Sequence, residues 1–174
     1  MSTFFLPTAL LPTGWAHDVR ITVAEGTITA VDAAATPDNA TRLPGVALPG
    51  MPNLHSHAFQ RGMAGLAQRG GDFWSWREGM YRFVAALTPA DIETISALAY
   101  MEMLEAGFTA VAEFHYVHHA PDGAAYTNPA ELCARIAAAA EQTGIGLTLL
   151  PVFYAHGGFN AAPPAAGQRR FITD

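Results

Sequence analysis

His55 and His57 stand two residues apart in Pro49-Gly-Met-Pro-Asn-Leu-His-Ser-His-Ala-Phe59, at the end of an apolar run that reads as a β-strand. Successive side chains of a strand alternate faces, so positions i and i+2 point the same way. Two imidazoles are thereby delivered side by side from a stiff backbone, an arrangement suited to a divalent metal with nitrogen ligands. An isolated His-x-His is as well explained by surface histidines near a turn. Here Pro49, Gly50 and Pro52 fix the path into the pair, and that context favours the metal.

More histidines recur where chemistry would be expected. Thr109-Ala-Val-Ala-Glu-Phe-His115 reads as a second strand and Leu147 to Phe153 as a third, with His156 just beyond it. In parallel α/β architectures functional groups gather at the C-terminal ends of strands. Three consecutive strands therefore place histidine at one rim. Alternation puts His115 on the face of Val111 and Glu113, a face expected to point inward near the metal, although a satisfied core histidine is the plain alternative. Glu113 is expected to be a buried carboxylate in need of a partner. His118 and His119 are expected in a solvated loop. Trp74, Trp76 and Tyr81 read as packing residues of a loop that covers the site.

The elements that position these residues are legible from their boundaries. Thr88, Pro89 and Asp91 predict a helix start, Ile92, Ile95, Ala99 and Met103 follow at helical spacing, and Gly107 ends it. Asn128, Pro129 and Glu131 repeat the start signal for a helix whose buried face carries Leu132, Ile136 and Ala140 and which Gly144 and Gly146 end. Strand–helix alternation after Pro49 predicts a parallel sheet with right-handed crossovers. Residues 1–48 differ, with short β signals at Phe4 to Leu6, Val19 to Val23 and Thr27 to Val31 around a turn at Glu25-Gly26. They are expected to form a small β-sandwich subdomain, and residues 49–174 an α/β domain.

Composition narrows the function classes. Of 174 residues 51% are hydrophobic and 14% charged, which indicates a well-buried globular chain. A formal charge of −6, without any basic stripe, argues against nucleic acid as a partner. The single cysteine, Cys133, cannot form an internal disulfide and fits a reducing, cytoplasmic setting. No stretch approaches the about 20 apolar residues of a spanning helix, so no membrane partner is expected. The apolar start is broken by Pro7 and Pro12 and lacks a basic region, unlike a signal peptide.

Pro49-Gly-Met-Pro-Asn-Leu-His-Ser-His57 resembles the start of the metal-dependent (β/α)8 barrel of the amidohydrolase superfamily. His55-Ser-His-Ala-Phe-Gln-Arg-Gly-Met, Phe73-Trp-Ser-Trp-Arg-Glu-Gly-Met-Tyr-Arg82 and Ala112-Glu-Phe-His-Tyr-Val-His-His119 resemble one branch of it, the N-formimidoyl-L-glutamate deiminases. The resemblance implies one divalent ion, zinc first and iron as the alternative, that activates water. The water attacks the formimino carbon of an acidic amidine, and ammonia leaves to give N-formyl-L-glutamate, a step of histidine degradation. It also implies His55 and His57 as metal ligands, and Gln60, Arg77 and His115 as substrate contacts. Gln60 lies close enough after His57 to present an amide to a substrate, or is simply a solvated residue. Arg77 is a planar bidentate donor for a carboxylate, or merely stacks on a neighbouring indole. A (β/α)8 barrel takes about 250 residues, whereas about three β/α units are legible here. The chain is therefore expected to be the N-terminal part of a longer enzyme, inactive alone, with its catalytic residues beyond Asp174. The full-length enzyme could be a homodimer. Two other readings stay open: an amidohydrolase deaminase of the purine or pyrimidine type, and a non-catalytic metal-binding fragment.

Overall fold

The computed structural model describes residues 1–66 and 72–173, so Asp174, the end of the expected second domain, lies outside the described residues. The chain divides into two compact units, Met1–Gly50 and Met51–Asp174.

The first unit contains β1 (Ser2–Leu11), β2 (Gly14–Ala24), β3 (Thr27–Asp32), β4 (Thr41–Arg42) and β5 (Val46–Ala47). They form one five-stranded sheet in the order β3-β2-β1-β4, with β5 also on β1. β1–β2 and β2–β3 are antiparallel, and β4 and β5 run parallel to β1. The expected β-sandwich portion is thus this single sheet. Glu25 and Gly26 turn the β2–β3 hairpin with φ of 49° and 76°. Left-handed backbone at both positions matches the twist of the strands it joins. The strands outrun their expected lengths, because β1 continues through Pro7; its ladder with β2 skips Pro7 and Asp18, and Asp18 has φ of 50°. Leu6, Ala9 and Val19 are the buried centre of this unit.

The second unit carries the parallel sheet: β6 (Met51–Ser56), β7 (Phe108–His115) and β8 (Gly146–Pro151), in that order. The helices α1 (Phe73–Ala86) and α2 (Pro89–Glu105) lie between β6 and β7, and α3 (Glu131–Thr143) lies between β7 and β8. This is the strand–helix repeat expected of a partial barrel. α2 begins where its sequence signals place it: the Thr88 hydroxyl accepts from the Asp91 N–H at 3.2 Å, and the Asp91 carboxylate accepts from the Thr88 N–H at 2.8 Å. α3 starts later than expected, at Glu131. Asn128 does not cap it; its side chain accepts from the Ala130 N–H at 3.0 Å and makes a turn before the helix. Gly144, with φ of 79°, ends α3, and Gly146 already belongs to β8.

The segment around Trp74, Trp76 and Tyr81 is a helix and not the expected loop. Asp72 caps α1 by accepting from the Ser75 N–H at 2.9 Å, and Met80, Tyr81 and Val84 form its buried side. The aromatic start of α1 has weak helix propensity, so tertiary burial decides its state. The core joins α1, α2 and α3 to the sheet through Val84, Ile92, Tyr100, Val111, Leu132 and Ile136. No helix among the described residues is long and apolar enough to cross a membrane. Thr88→Ala removes one half of the reciprocal cap and is expected to lower unfolding free energy by about 1 kcal/mol in urea titrations; an unchanged midpoint would show that the cap does not support α2.

Candidate active site

β6 and β7 pair in parallel, Asn53 with Val111 and Ser56 with Glu113. Three steps on β6 thus match two on β7, which places one extra residue, a bulge, at Leu54–His55. Bulges of this kind re-aim side chains beside functional sites. Beyond it β6 ends at Ser56, and His57 leads into a 3-10 turn, Ala58–Met63.

The two imidazoles converge. His55 Nε2 and His57 Nε2 are 3.1 Å apart, and His57 Nδ1 is 2.7 Å from the Phe114 carbonyl. A carbonyl only accepts, so His57 Nδ1 carries the proton and Nε2 of the neutral ring keeps its lone pair. The His55 ring stacks on Phe114 at 4.6 Å between centroids. Two nitrogens on one zinc at about 2.0–2.1 Å would stand roughly 3.3 Å apart at the tetrahedral angle. The pair fits an ion by spacing, and His57 fits it by tautomer as well. No group of three or more His, Cys, Asp or Glu side chains that could hold a metal occurs among the described residues.

A cavity of about 560 Å³ opens beside His57. Gln60 and Arg77 line it, as do Tyr116, Tyr154, Gln168 and Phe171, whose part the sequence reading did not foresee. Gln60 Nε2 donates to the Tyr116 hydroxyl at 2.7 Å. Burial pushes the Tyr116 hydroxyl up to about 12, so it keeps its proton at neutral pH. Arg77 lies over the Trp74 ring at 4.4 Å and faces Tyr81 at 5.6 Å. Its Nε is buried and has no hydrogen-bond partner among the described residues. The stacking alternative is therefore real, yet it leaves a donor unspent. Gln168 seals the far wall, donating to the Tyr154 hydroxyl at 2.9 Å and the Gly157 carbonyl at 3.0 Å. Arg170, almost wholly buried, donates to the carbonyls of Val84, Leu87 and His119 and so ties the end of α1 to the segment after β7. Oxygens at the C-terminal end of a helix suit a buried cation.

The structure does not bring His115 to this cavity. Val111, Glu113 and His115 are the buried side of β7, with Val111 in the core that the helices share and the His115 ring against His118, while Phe114 and Tyr116 occupy the side of His55 and His57. Alternation groups the three residues correctly, but the expected inward direction does not hold, because a strand between helices and a site is covered on both faces and parity alone does not say which is which. His115 is fully buried, its ring nitrogens have no partner among the described residues, and burial next to His118 lowers its pKa to about 4. His118 is not solvated either, since its Nε2 donates to the Val152 carbonyl at 2.9 Å. Cavity-lining Tyr116 follows directly on β7, one residue past His115 and so of the opposite parity.

The model of the amidohydrolase family matches residues 46–172. The chain belongs to the amidohydrolase family. Residues 1–44 match a second family model, the N-terminal domain of formimidoylglutamate deiminase. Over 178 aligned positions the chain is 58% identical to formimidoylglutamate deiminase of Pseudomonas aeruginosa, an alignment covering 99% of this chain and 39% of that protein. A crystal structure of an amidohydrolase from Brucella melitensis superposes with a TM-score of 0.93 at 51% identity, covering all of this chain and 40% of the other. An atrazine chlorohydrolase of Arthrobacter aurescens, solved with zinc, shares the fold at a TM-score of 0.67 and 17% identity, over 97% of this chain and 41% of that one. The chain thus spans about two fifths of the length of these amidohydrolases and is similar to the N-terminal portion of the deiminase.

His115 links this geometry to pH. Its folded pKa lies below the unfolded value of 6.5, so the unfolded chain binds more protons between about pH 6.5 and 4, and stability is lost as pH falls through that window. Between pH 7 and pH 4 the wild type is expected to lose about 3 kcal/mol more than His115→Phe in denaturant titrations. Equal losses would show that His115 is not held neutral by burial.

Proposed function

We propose that this chain supplies the first part of the active site of a cytoplasmic N-formimidoyl-L-glutamate deiminase, which releases ammonia and N-formyl-L-glutamate in histidine degradation. One observation carries the reading: the imidazole nitrogens of His55 and His57 converge at 3.1 Å beside a cavity whose wall presents Arg77 and Gln60. The similarity to the Pseudomonas deiminase supports the same substrate class.

His55 and His57 would hold a divalent ion, zinc first and iron as the alternative, which when bound lowers the pKa of water toward neutrality. The Phe114 carbonyl holds the proton of His57 on Nδ1 and leaves Nε2 free for that role. Arg77 binds a carboxylate of the glutamate moiety; its stacking on Trp74 orients the guanidinium before substrate arrives. Gln60 and Tyr116 act as a coupled donor pair on the polar part of the substrate, with Gln60 steering the Tyr116 hydroxyl through their hydrogen bond. His115 stands outside this contact set. We assign no proton-transfer group to residues 1–174, and the chain alone is proposed to be inactive.

A purine-type deaminase reading is disfavoured by Arg77, a cation on the wall of an otherwise largely aromatic cavity. The test is a chimera joining this chain to the remainder of the Pseudomonas deiminase. It is expected to release ammonia from N-formimidoyl-L-glutamate and not from aminopurines. His55→Ala and His57→Ala in the chimera should each remove activity, and Arg77→Met should raise KM by more than about tenfold, the loss of at least one charge-assisted contact. Turnover of aminopurines alone would overturn the reading. Ammonia release by the isolated chain would overturn its proposed inactivity.

A further inference from the structure

The turn that follows His57 is held from inside the core. The Ala58 N–H donates to Glu113 Oε1 at 2.7 Å, and both residues are buried, Glu113 completely. Ala58 is the first residue of the 3-10 turn, and His57, which precedes it, offers no side-chain cap. Without Glu113 this N–H would be an orphan in an apolar setting, since the leading donors of a helical turn have no partner within it. The Gln60 N–H closes the same turn on the His57 carbonyl at 2.9 Å.

β7 therefore restrains His57 twice from consecutive residues. Glu113 fixes the backbone on the C-terminal side of His57, and the Phe114 carbonyl fixes its ring through Nδ1–H. Packing alone does not call for a carboxylate here: Val111, two residues earlier on the same face, is a buried aliphatic residue. The Ser56 and Tyr100 hydroxyls also face this carboxylate, although Oε2 makes no hydrogen bond of ordinary geometry among the described residues. A carboxylate is costly to bury without partners, and its well-formed hydrogen bond is the one from the Ala58 N–H. Of the turn's own side chains, Gln60 reaches the Tyr116 hydroxyl, and Arg61 pairs with Glu102 of α2 in an exposed contact that constrains the turn less.

We propose that Glu113 is a positioning residue for the candidate metal centre: its buried carboxylate, by accepting the Ala58 N–H, sets the turn that aims His57 at His55 and Gln60 at Tyr116. The inference rests on reading His57 as a ligand, and the test separates the two. Wild type, Glu113→Gln and Glu113→Leu are compared by Ala58 amide exchange, by the ring tautomer of His57 in nitrogen-15 spectra, and by titration with zinc alone against a chromophoric chelator. Glu113→Gln keeps an acceptor oxygen and is expected to retain Ala58 protection, the Nδ1–H tautomer and zinc affinity within about threefold. Glu113→Leu is expected to lose that protection and to bind zinc at least about tenfold more weakly, the usual effect of removing an outer support. Wild-type protection and affinity in Glu113→Leu would overturn the proposal. Should the leucine variant fail to fold, an unprotected Ala58 amide in the wild type, or a tenfold loss of zinc in a Glu113→Gln variant that keeps Ala58 protected, would overturn it as well. A wild type that takes up no zinc would sink the ligand reading of His57, while the Ala58 and tautomer data would still decide what Glu113 holds.

Discussion

The pairing of β6 with β7 is the constraint from which the site follows. A parallel ladder that matched residue for residue would carry regular alternation through the pair. The extra residue at Leu54–His55 breaks the count and then lets pairing resume at Ser56 and Glu113. Immediately beyond, β7 meets the chain with a carboxylate at Ala58 and a carbonyl at the His57 ring. Both imidazole nitrogens then meet in one place. The backbone does most of this positioning, which is the economical way to hold a ligand within a few tenths of an ångström.

Around that pair the wall is aromatic and its polar groups are few. Phe114 carries the His55 ring, Tyr116 meets His57 edge-on at 5.0 Å, and Phe171 packs against Tyr116 at the same distance. In such surroundings each hydrogen bond is less screened than in water, so the Gln60–Tyr116 contact and the free donor of Arg77 gain directional force. α1 brings Arg77 there, and the buried Arg170 holds the end of α1 through the carbonyls of Val84 and Leu87. A residue that does not itself line the cavity can therefore govern where the cation sits.

Much of this was legible in the sequence because it follows from local rules. The Thr88–Asp91 cap, the Glu25-Gly26 turn and the alternation of strands with helices depend on neighbours within a few residues. The spacing of His55 and His57 was legible for the same reason, although the bulge and the turn after Ser56, which bring their nitrogens together, were not. The side on which His115 lies was not. Alternation pairs residues on a face without saying which face meets the helices, and only the packing of Val111 into the shared core decides it. α1 was hidden by its aromatic residues, which are weak helix formers and become helical through burial. The tie from Glu113 to Ala58 spans 55 positions and has no local signature at all.

The reading of His55 and His57 as half of a metal centre is tested most directly by zinc K-edge absorption of the protein loaded with one equivalent of zinc. The account predicts two imidazole nitrogens at about 2.0–2.1 Å with oxygen from solvent filling the remaining positions, and the loss of this signature in His55→Ala and in His57→Ala. A sulfur at about 2.3 Å, which would place the ion on Cys133, or a histidine signature that survives both substitutions, would contradict it.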